Sequence, residues 1–227
     1  MFNINSQSIK WPDNLKEAAS IQKQLANKVR LENNFANLNL IAGIDVSYDL
    51  TNNLSYAVIV TMTLDQLKPI QTIIKHLPTT IPYVPGFLSF REIPVILEAL
   101  KDLPHRPDIF MVDGQGVAHP RGLGIAAHLG VLTNIPSIGV AKSKLIGSYQ
   151  EPDWIKGSQS PLINKNKKIG TVLRSKDNVK PLFISSGHYI DHETAINVTI
   201  ACLTKYRLPE PTRYADKISK NCKIITA

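Results

Sequence analysis

The sequence predicts an α/β fold: a mixed β-sheet flanked by helices. Two observations carry this. Leu40–Val46 and Asp108–Val112 are short apolar runs rich in β-forming residues, the pattern of buried strands. Around them, strand-like segments come first in an order suited to antiparallel pairing, and strands then alternate with segments of helical spacing. The chain has 227 residues, 43% of them hydrophobic. That is enough for one large domain with a well-buried core and short for two, so residues 1–227 are expected to form a single domain.

The elements follow in order. Pro12-Asp13 marks a helix start with Asp13 as cap, and Ala18, Ile21, Leu25 and Val29 recur at helical spacing to about Arg30. Leu40–Val46 is the first buried strand. In Tyr56–Leu64 the residues Tyr56, Val58, Val60, Met62 and Leu64 share one face, which predicts a half-buried strand, and Ile70–Ile74 is expected to pair with it. Pro78–Gly86 holds three prolines and a glycine and reads as a stiff loop. Ser89–Leu100 is helical, with Pro94 near enough to the first turn to be tolerated. Asp108–Val112 is a strand, 123–132 a helix and Ser137–Ala141 a third buried strand. The polar stretch Gln150–Lys168 reads as a surface insertion. Strands near Lys168–Leu173 and Pro181–Ser185 follow, then a helix over Asp191–Tyr206, stopped by Leu208-Pro-Glu-Pro211, and a last basic helix from Thr212. A ribonuclease-H-like architecture fits this layout, with one acid on the first strand and another at the tip of the fourth.

Charge and cysteine usage narrow the function classes. Lys plus Arg number 26 against 18 for Asp plus Glu, a net charge of +8, which suits a polyanionic partner but is also ordinary for solubility. Cys202 and Cys222 are the two cysteines, and neither lies in a Cys-x-x-Cys pair, so a thiolate zinc site is disfavoured and a disulfide is allowed but not demanded. Met1–Lys10 is polar with no secretory core, and no stretch approaches a membrane span, so a reduced cytoplasmic protein is expected.

The chemistry concentrates in a few phrases. Asp45 and Asp113 end hydrophobic strands, where an isolated charge is costly to desolvate and a counter-ion is expected. Either acid alone is better explained as a strand-end cap or salt-bridged group. As a set with Glu92 they read better as oxygen ligands for a hard divalent cation, the arrangement that phosphodiester hydrolysis uses. Pro82-Tyr83-Val84-Pro85 is conformationally restricted, so Tyr83 is either a rigid aromatic wedge for a base stack or a turn residue folded on the core. Four glycines fall between Asp113 and Gly124, which permits close backbone approach to a ligand or simply a tight strand-to-helix turn, with His119 as loop cap or substrate contact. Lys142 follows the strand Ile138–Ala141 and is either a surface lysine or a cation beside the scissile phosphate. Ser185-Ser-Gly-His188 lacks the Gly-x-Ser-x-Gly pattern of a nucleophile elbow.

These phrases together resemble the endonuclease V family of deoxyinosine-directed repair nucleases. The resemblance rests on Ala42–Tyr48, Pro82–Glu92, Val112–Arg121, Ile138–Lys142, Ser185–His188 and Arg207–Asp216, in order and over nearly the full length. It implies a ribonuclease-H-like fold and hydrolysis dependent on Mg²⁺, with Mn²⁺ as substitute. The bond cut is the second phosphodiester 3′ to the deaminated base, leaving a 3′-hydroxyl and a 5′-phosphate. It places Asp45, Glu92 and Asp113 among the metal-binding acids and adds Asp216 as a fourth. Lys142 matches the lysine near the scissile phosphate and Pro82–Pro85 the strand-separating wedge. Gly86, Leu88, Gly114, His119, Gly124 and Leu145 match positions around the hypoxanthine pocket, which is expected to read the base through main chain near Gly114. The implied partner is deoxyinosine-containing DNA, met by a monomer without a membrane. An endoribonuclease acting on inosine-containing RNA is a second reading, and a non-catalytic nucleic-acid-binding module of the same fold a third.

Overall fold

A computed structural model of the chain describes residues 11–225; the reading of Met1–Lys10 lies outside that range. Asn14 opens α1 (Leu15–Ala26), its side chain accepting the Glu17 N–H at 2.9 Å. The cap is therefore Asn14 and not Asp13, whose own N–H donates to Glu17 Oε2 at 3.0 Å. The helix stops at Ala26, short of Arg30.

β1 (Leu40–Asp49), β2 (Leu54–Thr63) and β3 (Pro69–Pro78) form an antiparallel meander. The chain then runs through α2 (Leu88–Lys101), β4 (Ile109–Asp113), α3 (Ile125–Thr133) and β5 (Ser137–Ala141). β4 pairs parallel with β1, and β5 with β4; parallel neighbours need crossovers, and α2 and α3 lie in them. β6 (Gln159–Asn164), β7 (Lys167–Leu173) and β8 (Leu182–His188) add antiparallel strands, and α4 (His192–Ala201) and α5 (Glu210–Ile225) close the chain. The result is one eight-stranded mixed sheet in the order β3-β2-β1-β4-β5-β8-β7-β6.

Period-two alternation divides the core between the two faces. Tyr56, Val58, Val60 and Met62 of β2 pack with Ile41, Met111 and Val140 beneath α4 and α5. Ala57 and Ile59 pack with Ile44, Phe110 and the apolar side of α2 and α3. β2 is consequently buried on both faces from Ser55 to Met62, not half-buried as its alternation predicts, because α2 covers the second face.

Three further expectations change. Gln150–Lys168 is not wholly an insertion: β6 and the start of β7 fall inside it, joined by a tight turn with Lys165 and Asn166 at φ 49° and 60°. α4 ends at Ala201, well before Tyr206, and Pro209-Glu210-Pro211 starts α5 instead of stopping α4, as suits proline in a first helical turn. Pro94 sits inside α2, past its first turn. Cys202 and Cys222 are both buried, and neither is in a disulfide. Among the described residues no helix is long and apolar enough to cross a membrane.

Because β1, β3, β4 and β5 run the same way, their C-terminal ends share one edge of the sheet. The loop after β3 and the glycine-rich loop after β4 rise from that edge, the place where open α/β sheets take ligands.

Candidate active site

Asp45 lies on β1 two residues beyond Gly43, on the face that α5 covers. A Cβ at Gly43 would stand 2.0 Å from the Pro211 carbonyl oxygen, so the missing side chain is what lets the first turn of α5 rest on β1. That seating carries Asp216 of α5 to Asp45, while Asp113 arrives from the end of β4. One carboxylate oxygen from each of Asp45, Asp113 and Asp216 lies within 4.8 Å of the others.

Glu92 stands apart from this trio. It projects from α2 on the opposite layer, 6% exposed, and its Oε1 accepts the Tyr48 hydroxyl at 2.6 Å. Tyr48 is an odd number of residues from Asp45 along β1, so it faces the other layer.

Basic and hydroxyl groups close over the trio. Lys142 Nζ donates to Asp113 and, at 2.5 Å, to Asp216 Oδ1. Lys220 Nζ donates to Asp216 Oδ2 at 2.7 Å. The Ser219 hydroxyl donates to Asp45 Oδ2. Ser219 and Lys220 were not among the candidates from sequence; their only signal is the i+3 and i+4 spacing from Asp216, which shares their helix face. Tyr48 likewise shows its partner only once the layers are assembled.

The electrostatics are those of crowded, desolvated acids. Burial, helped by the Asp113 charge, raises Asp45 to about 7. Burial raises Glu92 to about 8, with Asp45 and Asp113 adding to the shift against the Tyr48 hydrogen bond. Asp113 is raised, again chiefly by burial. At Asp216 burial acts upward too, but the Lys142 and Lys220 ammonium groups outweigh it and hold the carboxyl low. Lys142 is raised because its two carboxylates outweigh its own desolvation. Oxygen donors that repel one another out of water are the donor set a hard divalent cation stabilises, so the residues present fit such an ion.

Beside the acids is a cavity of about 330 Å³. Tyr83, Pro85, Gly86 and Leu88 line one side of it, and Gly114, His119, Gly124 and Leu145 line the rest, with Asp113 and Lys142 at the junction with the acids. Pro82 and Val84 are not in its lining. Tyr83 is 63% exposed, so it is not folded onto the core. The Gly114 N–H is engaged, donating to the Val140 carbonyl at 3.2 Å, so Gly114 provides room more than a free donor. Its φ is +150°, and a Cβ there would meet Ile125 Cγ2 at 2.6 Å. His119 accepts the Arg121 N–H on Nδ1 at 3.2 Å, which leaves Nε2–H to donate to the Gly86 carbonyl at 3.0 Å. Burial, helped by Arg121, lowers this imidazole to about 4, so it is neutral.

Asp45 does not end its strand as expected, since β1 runs on to Asp49; acids gathered from mid-β1, the end of β4 and α5, beside a pocket of this size, suit a nuclease. Comparison with known proteins makes the class specific. The endonuclease V family profile matches residues 23–217. The chain is 52% identical over 210 residues to the endonuclease V of Rippkaea orientalis, covering 92% of each chain. It superposes on the crystal structure of endonuclease V from Streptomyces avermitilis with a TM-score of 0.89 at 40% identity, covering 96% of each chain. It also superposes on Ciona intestinalis endonuclease V in complex with a 24mer DNA containing an inosine followed by a ribo-adenosine, with a TM-score of 0.84, 30% identity and coverage of 95% of this chain and 100% of that one. The chain belongs to the endonuclease V family.

Proposed function

We propose that this nuclease is a DNA repair enzyme that recognises deoxyinosine and hydrolyses the second phosphodiester bond 3′ to it, leaving a 3′-hydroxyl and a 5′-phosphate. The observation that carries this reading is the adjacency of the carboxylate trio to the pocket: Asp113 belongs to both, and Lys142 of the pocket lining donates to Asp113 and Asp216. A base lodged in the pocket holds its own strand against the acids.

Asp45, Asp113 and Asp216 would hold Mg²⁺, or Mn²⁺ in its place, with Glu92 as a fourth acid from the opposite layer. Such a cation offsets phosphate charge, lowers the pKa of a bound water and stabilises the leaving alkoxide. The protein's own residues do the rest. Lys142 presents a fixed positive charge where the scissile phosphate arrives. Ser219 orients Asp45, and Tyr48 orients Glu92. Pro82–Pro85 holds Tyr83 outward as a wedge, so little freedom is lost on entering the stack.

Selectivity follows from one exchange of groups. Deamination replaces the amino donor at purine position six with a carbonyl acceptor. A main-chain N–H of the loops around Gly114 pairs with that acceptor, and adenine would leave the donor unpaired, which is costly in a closed pocket. The lining of Leu88 and Leu145 closes the apolar sides.

The same acids would serve inosine-containing RNA. The Ciona complex, with a ribo-adenosine after its inosine, favours testing that substrate as a second reading. The proposal takes residues 1–227 as one domain, acting as a monomer in the cytoplasm.

A labelled duplex with one deoxyinosine, incubated with Mg²⁺ or with EDTA, tests the reading against Asp45→Ala. The expected product is a metal-dependent nick at the second bond 3′ to the lesion, absent in the variant. Equal cutting of undamaged duplex, or a nick elsewhere, would overturn the specificity assigned here.

A further inference from the structure

The Gly86 carbonyl is the meeting point of three side-chain donors from two distant segments. Gln22 Nε2 of α1 donates to it at 3.0 Å, His119 Nε2 at 3.0 Å and Arg121 Nη2 at 2.5 Å. Gln22 and Arg121 are also joined to each other, Arg121 Nε donating to Gln22 Oε1. The Arg121 guanidinium lies over the Phe87 ring, 4.2 Å from its centroid. Gln22 is completely buried. A buried amide costs free energy that an apolar residue would not, unless both its ends are used, and here both are spent on this one junction.

The location of the junction gives it a purpose. Pro82 and Pro85 stiffen the loop before it, and α2 is rigid after it. Gly86, at φ +78°, is the conformationally permissive joint between them. A stiff tip on a free joint pivots when it meets a base stack, whereas on a fixed joint it transmits force. Three donors, one of them charged, on a single carbonyl fix the joint.

We infer that Gln22 and Arg121 are positioning residues that lock the joint at Gly86, so that the Pro82–Pro85 wedge can open a duplex. This rests on the function proposed above and goes beyond it, since neither residue touches the acids or lines the pocket. Single strands need no opening, so the lock should matter to duplex substrates and little to single-stranded ones.

The test compares the unaltered protein with Gln22→Leu, which removes both ends of the amide, and with Arg121→Lys, which keeps the charge but loses the paired donors. Two readouts are taken on the full chain. The first is amide hydrogen exchange without DNA: exchange over Tyr83–Leu88 should rise about tenfold in both variants while the β1 and β4 amides stay protected, which also shows that they fold. The second is cleavage of one deoxyinosine oligonucleotide as duplex and as single strand with Mg²⁺. The duplex rate should fall about tenfold or more while the single-strand rate stays within about twofold, since misplacing a group by about 1 Å can cost that much. Unchanged exchange over Tyr83–Leu88, or equal losses on both substrates, overturns the lock. If the unaltered protein leaves deoxyinosine DNA intact, the function proposed above fails, and the exchange readout by itself decides whether Gln22 and Arg121 hold the joint.

Discussion

Ser219 shows how much one hydroxyl can decide. It donates to Asp45 Oδ2 from the α5 turn that also bears Asp216, so it both orients one acid and ties the two elements together. Groups that orient ligating side chains typically alter metal affinity or activity by about 10–100-fold when removed. Ser219→Ala should therefore raise the Mg²⁺ concentration needed for half-maximal cleavage by about tenfold or more, with little change in DNA affinity; an unchanged Mg²⁺ titration would show that Asp45 orients itself. At this scale the sequence is legible where a charge interrupts an apolar run, as at Asp45 and Asp113. It is not legible at Ser219 or Gln22, because serine and glutamine in a helix look like ordinary surface residues until a partner 174 or 64 positions away folds against them.

The contact between α5 and β1 is the element on which the acid cluster depends. The Pro211 carbonyl occupies the space where Gly43 would carry a side chain, and backbone cannot swing aside as the end of a long side chain can. Gly43→Ala should displace α5 and cost about 1–3 kcal/mol, as overpacking does. Because the displacement moves Asp216 off the trio, cleavage should fall by roughly 100-fold. Thermal melting and single-turnover rates on the same preparation check both, and a stable variant of full activity would show that α5 has slack. Element assignment from sequence succeeded where pattern and burial agree: β4, β5 and α2 fall within one or two residues of their predicted spans. It failed where local chemistry is shared by two structures. Prolines stop one helix and start another, so Pro209 and Pro211 read either way. A polar stretch with Lys165-Asn166 near its end is equally an insertion or a hairpin turn, and β7 pairing with β6 made that end a hairpin.

Across the whole molecule, gathering acids out of water links stability to pH. Asp45 at about 7 and Glu92 at about 8 are raised above their ordinary carboxylate values, so the folded chain holds protons that the unfolded chain has already released. Their effect favours folding at low pH and is lost as pH rises through 7 and 8. The histidines lowered by burial, His119 to about 4 and His128 to about 3, act in the opposite sense, but only below about 6.5, where a free imidazole still takes a proton. Above that the acids remain as the opposing groups. The metal-free protein should lose on the order of 5 °C in Tm between pH 6.5 and 8.5, and millimolar Mg²⁺ should restore most of it. A melting temperature that rises over this range without metal would mean that the acids are not crowded in solution as they are here.

By itself the amino-acid order determined the α/β class, the strands that carry Asp45 and Asp113, the rigid Pro82–Pro85 loop and the family, since each is written in local spacing or in a contiguous phrase. Only the tertiary structure showed that Asp216, expected from the resemblance, reaches Asp45 and Asp113 from α5, while Glu92 projects from the other layer with Tyr48. It alone showed that β2 is buried twice and that the buried Gln22 donates to the Gly86 carbonyl. The physical reason is the same in each case: periodicity along a strand or helix says which side chains share a face. What that face meets is set by the order of strands in the sheet and by which helix lies over it.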